Sequence, residues 1–308
     1  MKIGALIVTT GLPRVSGVAA LQTLTGSITA GQRMISAFQC AGVSMVGLVV
    51  GPEDKKAERP FAQNGVVFLR NAEAGEDFFR GVQSGLAYMA SWADRVFVVP
   101  GDTSLFLPQT LTEMLRRNAS IVQPQYQCMN GTPVLLDRTA MDMIRNVTSE
   151  EEARIAAEQL SREYVSVPDA GILLRGSDMT HRKALIQRHN AQLTRRMTEV
   201  SLFGSGPLYD PRLSMLLHLV EQTHSVRDAC SLMQMSYSTA WNMLNRVEDV
   251  LGFPLVVRIR GGSAGSGSVL TEKGRKLMNA YDHFTEELRK TASGLYSDYF
   301  GDLDEWNP

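Results

Sequence analysis

Cysteine is scarce in this chain and not spaced to hold metal. The three present, Cys40, Cys128 and Cys230, are an odd, scattered set, which suits small apolar fillers in a reducing cytoplasm. Histidine offers no more: His181, His189, His218, His224 and His283 lack ligand spacing, so no metal is assigned to them. Positive charge is not in surplus either. The formal net charge is -1 and the pI about 6.5, so no global field advertises a nucleic-acid partner, although local field matters more than the sum. No apolar run is long enough to span a membrane, and the opening MKIGALIV reads as a strand rather than a secretion signal. A soluble, cytoplasmic protein without membrane contact is expected. What is present is length: 308 residues, 44% of them apolar, supply two cores.

The most informative stretch covers residues 225–271. Ser225 starts a short helix with Val226, Ala229, Cys230 and Met233 on its apolar side. After a tight break, a longer helix opens at Ser236 and buries Ala240, Leu244, Val247 and Leu251 at helical spacing. Gly252 closes it and Pro254 prevents its resumption. Two helices joined this closely form a helix-turn-helix, whose second helix enters a DNA major groove. A strand at 255–260, a glycine and serine tip at 261–268 and a return strand at 269–271 add a β-hairpin wing.

Candidate DNA contacts follow from that layout. The hydroxyls of Ser236, Tyr237, Ser238 and Thr239 sit at the helix start, where phosphates and base edges are met, with Ser236 expected as the N-cap. Asn242 and Asn245 suit adenine edges, while Arg246 is either a DNA contact or an ordinary surface cation. Trp241 either packs on the wing or approaches the DNA backbone, and packing is the preferred reading. Arg258 and Arg260 flank the wing, and Lys273, Arg275 and Lys276 follow, against the lone acid Glu272. This block resembles the DNA-binding domain of the molybdate-responsive ModE regulators and, more distantly, of the LysR family. The likeness is carried by Ser236, Tyr237, Ala240 and Trp241, by Leu255, Val256 and Arg258, by the Gly261–Gly267 tip, and by Leu270, Thr271, Gly274 and Arg275.

The first part of the chain is organised differently. Apolar runs at 3–8, 45–50, 66–69, 96–99 and 121–122 alternate with helical patterns at 32–41, 77–90 and 108–117. That alternation predicts an α/β domain, Rossmann-like and three-layered, with a mostly parallel sheet between helices. Ligands in such sheets sit at the carboxyl ends of strands. The loop after Val8 and the turn Pro100-Gly101-Asp102 therefore share one functional edge.

Three stretches here resemble the MobA/MocA nucleotidyltransferases, which join a nucleotide to molybdopterin: Gly75–Phe79, Val98–Phe106 and Asn130–Leu136. The resemblance implies a phosphate loop at Thr9–Ala20, where Gly11 and Gly17 remain and Arg14 stands beside the expected arginine position. Val15 and Ala20 occupy the family's Arg and Lys positions, and Pro13 removes an amide donor. It also implies Mg2+ held between two carboxylates. Asp102 fits the first, unless it is only a turn-forming aspartate. The second should follow a strand at 171–174, where Arg175-Gly176-Ser177 stand and only Asp178 substitutes. Thr132 replaces the histidine of the family's Gly-His-Pro loop.

These departures weigh against transfer activity, and no residue is assigned a catalytic role. If nucleotide binding persists, its residues are Gly11, Arg14, Gly17 and Asp102, and Asp102 and Asp178 would hold Mg2+. The leading reading is a DNA-binding regulator with a degenerate sensor for a nucleotide or pterin. The alternatives are an active transferase carrying a regulatory winged helix, and a purely structural first domain. Expected boundaries are 1–200 for the α/β domain, 201–210 for a flexible linker, 211–296 for the winged helix and 297–308 for a loose acidic tail. A helix at 182–196, rich in Arg and Lys, is read as a solvated connector. A helix at 273–295 carries a stripe of Leu277, Ala280, Tyr281, Phe284 and Leu288, which predicts a homodimer.

Overall fold

Every residue of Ile3–Val8, which forms strand β1, is apolar or glycine, and all but Ile3 are buried. A strand covered on both faces belongs inside a parallel sheet. The computed structural model places it there and describes residues 1–12, 18–22, 24–25, 28–51, 59–62, 65–70, 77–175, 186, 200–204, 207–259 and 267–300. The chain divides into two compact units, Met1–Arg195 and Arg196–Pro308.

In the first unit β1 is followed by α1 (Val18–Gln22), a small ladder of β2 (Leu24–Thr25) with β3 (Ile28–Thr29), and α2 (Ala30–Cys40). Then come β4 (Met45–Val50), β5 (Val66–Arg70), α3 (Phe78–Met89), β6 (Arg95–Pro100) and α4 (Pro108–Leu115). The unit continues with β7 (Ile121–Tyr126), β8 (Met129–Asn130), β9 (Val134–Asp137), α5 (Arg138–Asn146), α6 (Glu150–Ala157) and β10 (Arg162–Ser166). The sheet order is β10-β7-β9-β6-β1-β4-β5, with β8 paired to β7. Pairs among β1, β4, β5 and β6 are parallel, as is β7 with β10, while β9 runs antiparallel to both β6 and β7. The mostly parallel α/β expectation holds.

The pleat sorts the core. Ala5 and Ile7 join the cluster around α2, where Phe38 meets Phe97 and Phe106 at ring-centroid distances of 5.6 and 5.0 Å. On the other face α3 approaches so closely that a Cβ on Gly85 would lie 2.5 Å from the Leu6 methyls. Only glycine permits that contact.

One expected strand is corrected. Residues 170–173 form a 3-10 turn, Ala170–Leu173, because the Asp169 carboxylate accepts from Gly171 N and curls the chain. Within the expected helix at 182–196 only Ile186 is described; it is helical and buried with Leu105 and Leu174.

Within the span expected as a linker, β11 (Leu202–Phe203) pairs antiparallel with β12 (Pro207–Tyr209). Next come α7 (Pro211–Thr223), α8 (Val226–Leu232), α9 (Tyr237–Leu251), β13 (Val256–Ile259), β14 (Gly267–Leu270) and α10 (Glu272–Phe300). Their caps are those read from the sequence. Ser225 accepts from Asp228 N and Ser236 from Thr239 N, and Gly252 closes α9 at φ 71°. Strands β13 and β14 pair antiparallel as a wing. The last helix runs to Phe300, so positions 297–300 of the expected tail are helical, and 301–308 lie outside the described residues.

Candidate functional site

Two places deserve construction from their residues upward: the start of α9 with the wing, and the strand edge beside Asp102. In the first, Ser236 ends its extended stretch and caps α9, with its hydroxyl 2.9 Å from Ser238 Oγ and 2.7 Å from Thr239 Oγ1. Tyr237, Ser238, Thr239, Asn242, Asn245 and Arg246 are all exposed, while Ala240, Leu244 and Val247 hold the opposite side in the core. One face of α9 is thus anchored and the other is free to meet a partner.

The wing is tied to that face through Trp241. Its ring receives Tyr237 edge-on at 6.1 Å and the Arg258 guanidinium at 4.6 Å from the centroid. Trp241 therefore packs on the wing, and Arg258 is held beside the start of α9. Behind them, Glu248 near the end of α9 accepts Leu255 N at 2.6 Å and Val256 N at 3.1 Å, fixing where β13 starts. Sequence reasoning missed Glu248, since nothing in a helical pattern reveals an acid that serves a strand seven residues on.

The remaining basic candidates differ in their surroundings. Lys273 lies over the Phe253 ring at 4.9 Å and stays exposed. Arg275 forms a fork with Glu221, at 2.9 and 3.2 Å, which holds the guanidinium more firmly protonated and occupies the donors that phosphate would need. Its geometry is that of a brace between α10 and α7. Arg260 lies outside the described residues.

The second place sits where β1 and β6 end together. Gly101 N donates to Val8 O at 2.8 Å, and the Thr9 hydroxyl donates to Val49 O at 2.8 Å. Gly11 adopts φ 66°, a left-handed turn that suits glycine. Asp102 follows Gly101, and its carboxylate Oδ1 is 3.2 Å from Arg175 NH1. Thr10 and Thr103 are buried nearby in the chain, and their hydroxyls meet no hydrogen-bond partner among the described residues. Arg14, Gly17 and Asp178 lie outside the described residues.

The second acid of this region is Asp169, which sequence reasoning passed over. It is 2% exposed and accepts from Leu107 N at 2.8 Å, Thr110 Oγ1 at 2.7 Å and Gly171 N at 3.0 Å. It ties the turn at 170–173 to the segment leading into α4. The loop at Gly131-Thr132-Pro133 docks on the same turn, with Thr132 N donating to Ile172 O at 3.0 Å. Among the described residues no group of three or more His, Cys, Asp or Glu side chains converges on one point, and no helix is long and apolar enough to cross a membrane.

Comparison with known proteins bears on both units. The chain is 31% identical over 98 residues to the molybdenum transport protein ModE of Azotobacter vinelandii, covering 28% of this chain and 36% of that protein. It is 38% identical over 80 residues to the molybdenum-pterin-binding protein MopB of Rhodobacter capsulatus, covering 26% and 30%. The chain thus spans about a third of the length of these relatives. Among solved structures, a 4-diphosphocytidyl-2C-methyl-D-erythritol synthase from Anaerococcus prevotii is similar at TM-score 0.49 and 13% identity, over 61% of this chain and 96% of that one. Residues 14–164 match the MobA-like NTP transferase domain, and residues 212–275 match the bacterial regulatory helix-turn-helix of the lysR family. The chain therefore joins a MobA-like NTP transferase domain to a lysR-type helix-turn-helix domain.

Proposed function

We propose that this protein is a DNA-binding transcriptional regulator tied to molybdenum or molybdopterin metabolism, working as a homodimer. Its first unit is a degenerate transferase domain that senses a nucleotide or a pterin. The observation carrying the DNA reading is the Tyr237-Trp241-Arg258 stack, which sets a wing cation beside the exposed hydroxyls and Asn242 of α9. Such a surface meets phosphate through Arg258, Lys273 and the hydroxyls, and base edges through Asn242 and Asn245. The similarity to ModE regulators supports the molybdenum link.

The test is selection of duplexes from a random pool by the full chain, followed by anisotropy titrations at several salt concentrations. Enrichment of one sequence is expected. Arg258→Ala should weaken all duplexes alike and reduce the salt slope by about 1, whereas Asn242→Ala should relax preference at one position by about 1–3 kcal/mol. A pool that never enriches would sink the regulator reading.

A second reading, an active molybdopterin nucleotidyltransferase, draws on retained Gly11 with its left-handed φ and on Asp102 at the strand edge. Pyrophosphate release from CTP or GTP in the presence of molybdopterin and Mg2+ would favour it.

A further inference from the structure

The MobA-like resemblance implies a divalent cation at Asp102, and the described side chains do not fit one. A Mg2+ site needs several oxygen ligands, with carboxylates offsetting the ion's charge. Here Asp102 directs Oδ1 at the Arg175 guanidinium, 3.2 Å away, and the carboxylate is mostly covered, at 14% exposure. Among the described residues the second acid is Asp169, which spends its oxygens on Leu107 N, Thr110 Oγ1 and Gly171 N and cannot turn towards Asp102 without releasing three donors. The guanidinium also leaves the charge as a metal site would: a dication between two carboxylates sums to zero, and so does one carboxylate with one guanidinium.

We infer that Arg175 stands where the divalent cation would act, making the strand edge a metal-independent site for a phosphate-bearing ligand. Arg175 is half exposed, so the guanidinium reaches solvent while it holds Asp102. A guanidinium is a covalently held cation and does not exchange with solvent as an ion does. Ligand capture at this edge would then be insensitive to Mg2+. The anion-binding half of the inference rests on the sensor reading above, while the exclusion of metal from Asp102 does not.

Manganese titration of the full chain, followed by electron paramagnetic resonance, tests the exclusion. Wild type and Asp102→Asn should give the same weak signal loss. Arg175→Asp, which supplies a second carboxylate beside Asp102, should gain a Mn2+ site that disappears in Arg175→Asp/Asp102→Asn, and Arg175→Lys, which keeps a cation, should gain none. An Asp102-dependent Mn2+ site in wild type, or no gain in Arg175→Asp, would overturn the inference. Calorimetry with CTP and GTP, in EDTA and in Mg2+, then addresses the ligand. Equal affinity in both buffers supports a metal-free site, and binding only with Mg2+ overturns it. Absence of any nucleotide binding defeats the nucleotide-sensor reading instead, and the Mn2+ result still decides the exclusion.

Discussion

Asp102 and Asp169 are both aspartates near the same loop, and their environments give them opposite characters. Asp169 is buried and accepts three donors, two of them from 59 and 62 residues away along the chain. Replacing it by alanine strands those donors, each costing on the order of 1 kcal/mol, so Asp169→Ala should lose about 3 kcal/mol in a urea titration. Asp102→Asn breaks only a pair whose partner is half exposed, worth about 1 kcal/mol or less. Comparable losses for the two variants would contradict the assignment of Asp169 as an anchor and of Asp102 as the partner of a half-exposed cation. The sequence singles out Asp102 because Gly-Asp after an apolar run marks the ligand edge. It hides Asp169, whose partners are remote in the chain and whose flanking residues resemble a strand.

At the level of elements, the wing explains its own motif. Thr271 N donates to Leu255 O at 2.9 Å, the Thr271 hydroxyl donates to Pro254 O at 2.7 Å, and Gly274 N donates to that hydroxyl at 2.9 Å. Threonine thus latches β13 to the start of α10, and Gly274 must pass the latch closely. A Cβ there would sit 2.4 Å from Leu255 O, which belongs to backbone and cannot swing aside. Gly274→Ala should destabilise the second unit by about 2 kcal/mol. The expected result is a lower melting transition for that unit, with wing-dependent DNA affinity falling alongside. A neutral Gly274→Ala would mean that the latch is looser than these distances say.

The same comparison shows what kind of element a sequence exposes. Helices α8 and α9 and the wing were legible to within a few residues, since caps such as Ser225, Ser236 and Gly252 are local signals. The sheet was legible as parallel from its apolar runs. Strand β9 and helices α5 and α6 were not, although Asp137 and Ser149 cap those helices in the ordinary way. Only two positions of β9 are buried, and α6 opens with three glutamates, so neither carries a strong apolar period. The turn at 170–173 read as a strand because its apolar run is real, and the bond from Gly171 N to the Asp169 carboxylate curls it.

For the whole molecule, the proposed homodimer turns on α10. At 29 residues it is about 44 Å long, far more than the winged helix needs to cover itself. One side of it is spent inside the unit. Met278 and Tyr281 are buried, and Tyr281 lies 4.5 Å from the Tyr209 ring while its hydroxyl donates to Val200 O. Tyr281 therefore leaves the stripe expected to form the dimer. Leu277, Ala280, Phe284 and Leu288 remain on an adjacent arc at helical spacing, Leu295 extends that arc, and Phe284 and Leu295 are 48% and 50% exposed. With a net charge of only -1, attraction to DNA must come from the cations near the wing. Two copies joined along this stripe would bind two half-sites with the second contact made intramolecular. Light scattering should therefore give twice the chain mass for the wild type. Phe284→Glu should give the monomer mass with unchanged circular dichroism, and should weaken binding to a palindrome far more than to a half-site. If Phe284→Glu and Leu295→Glu both keep the dimer mass, the two copies meet elsewhere and the stripe serves another partner.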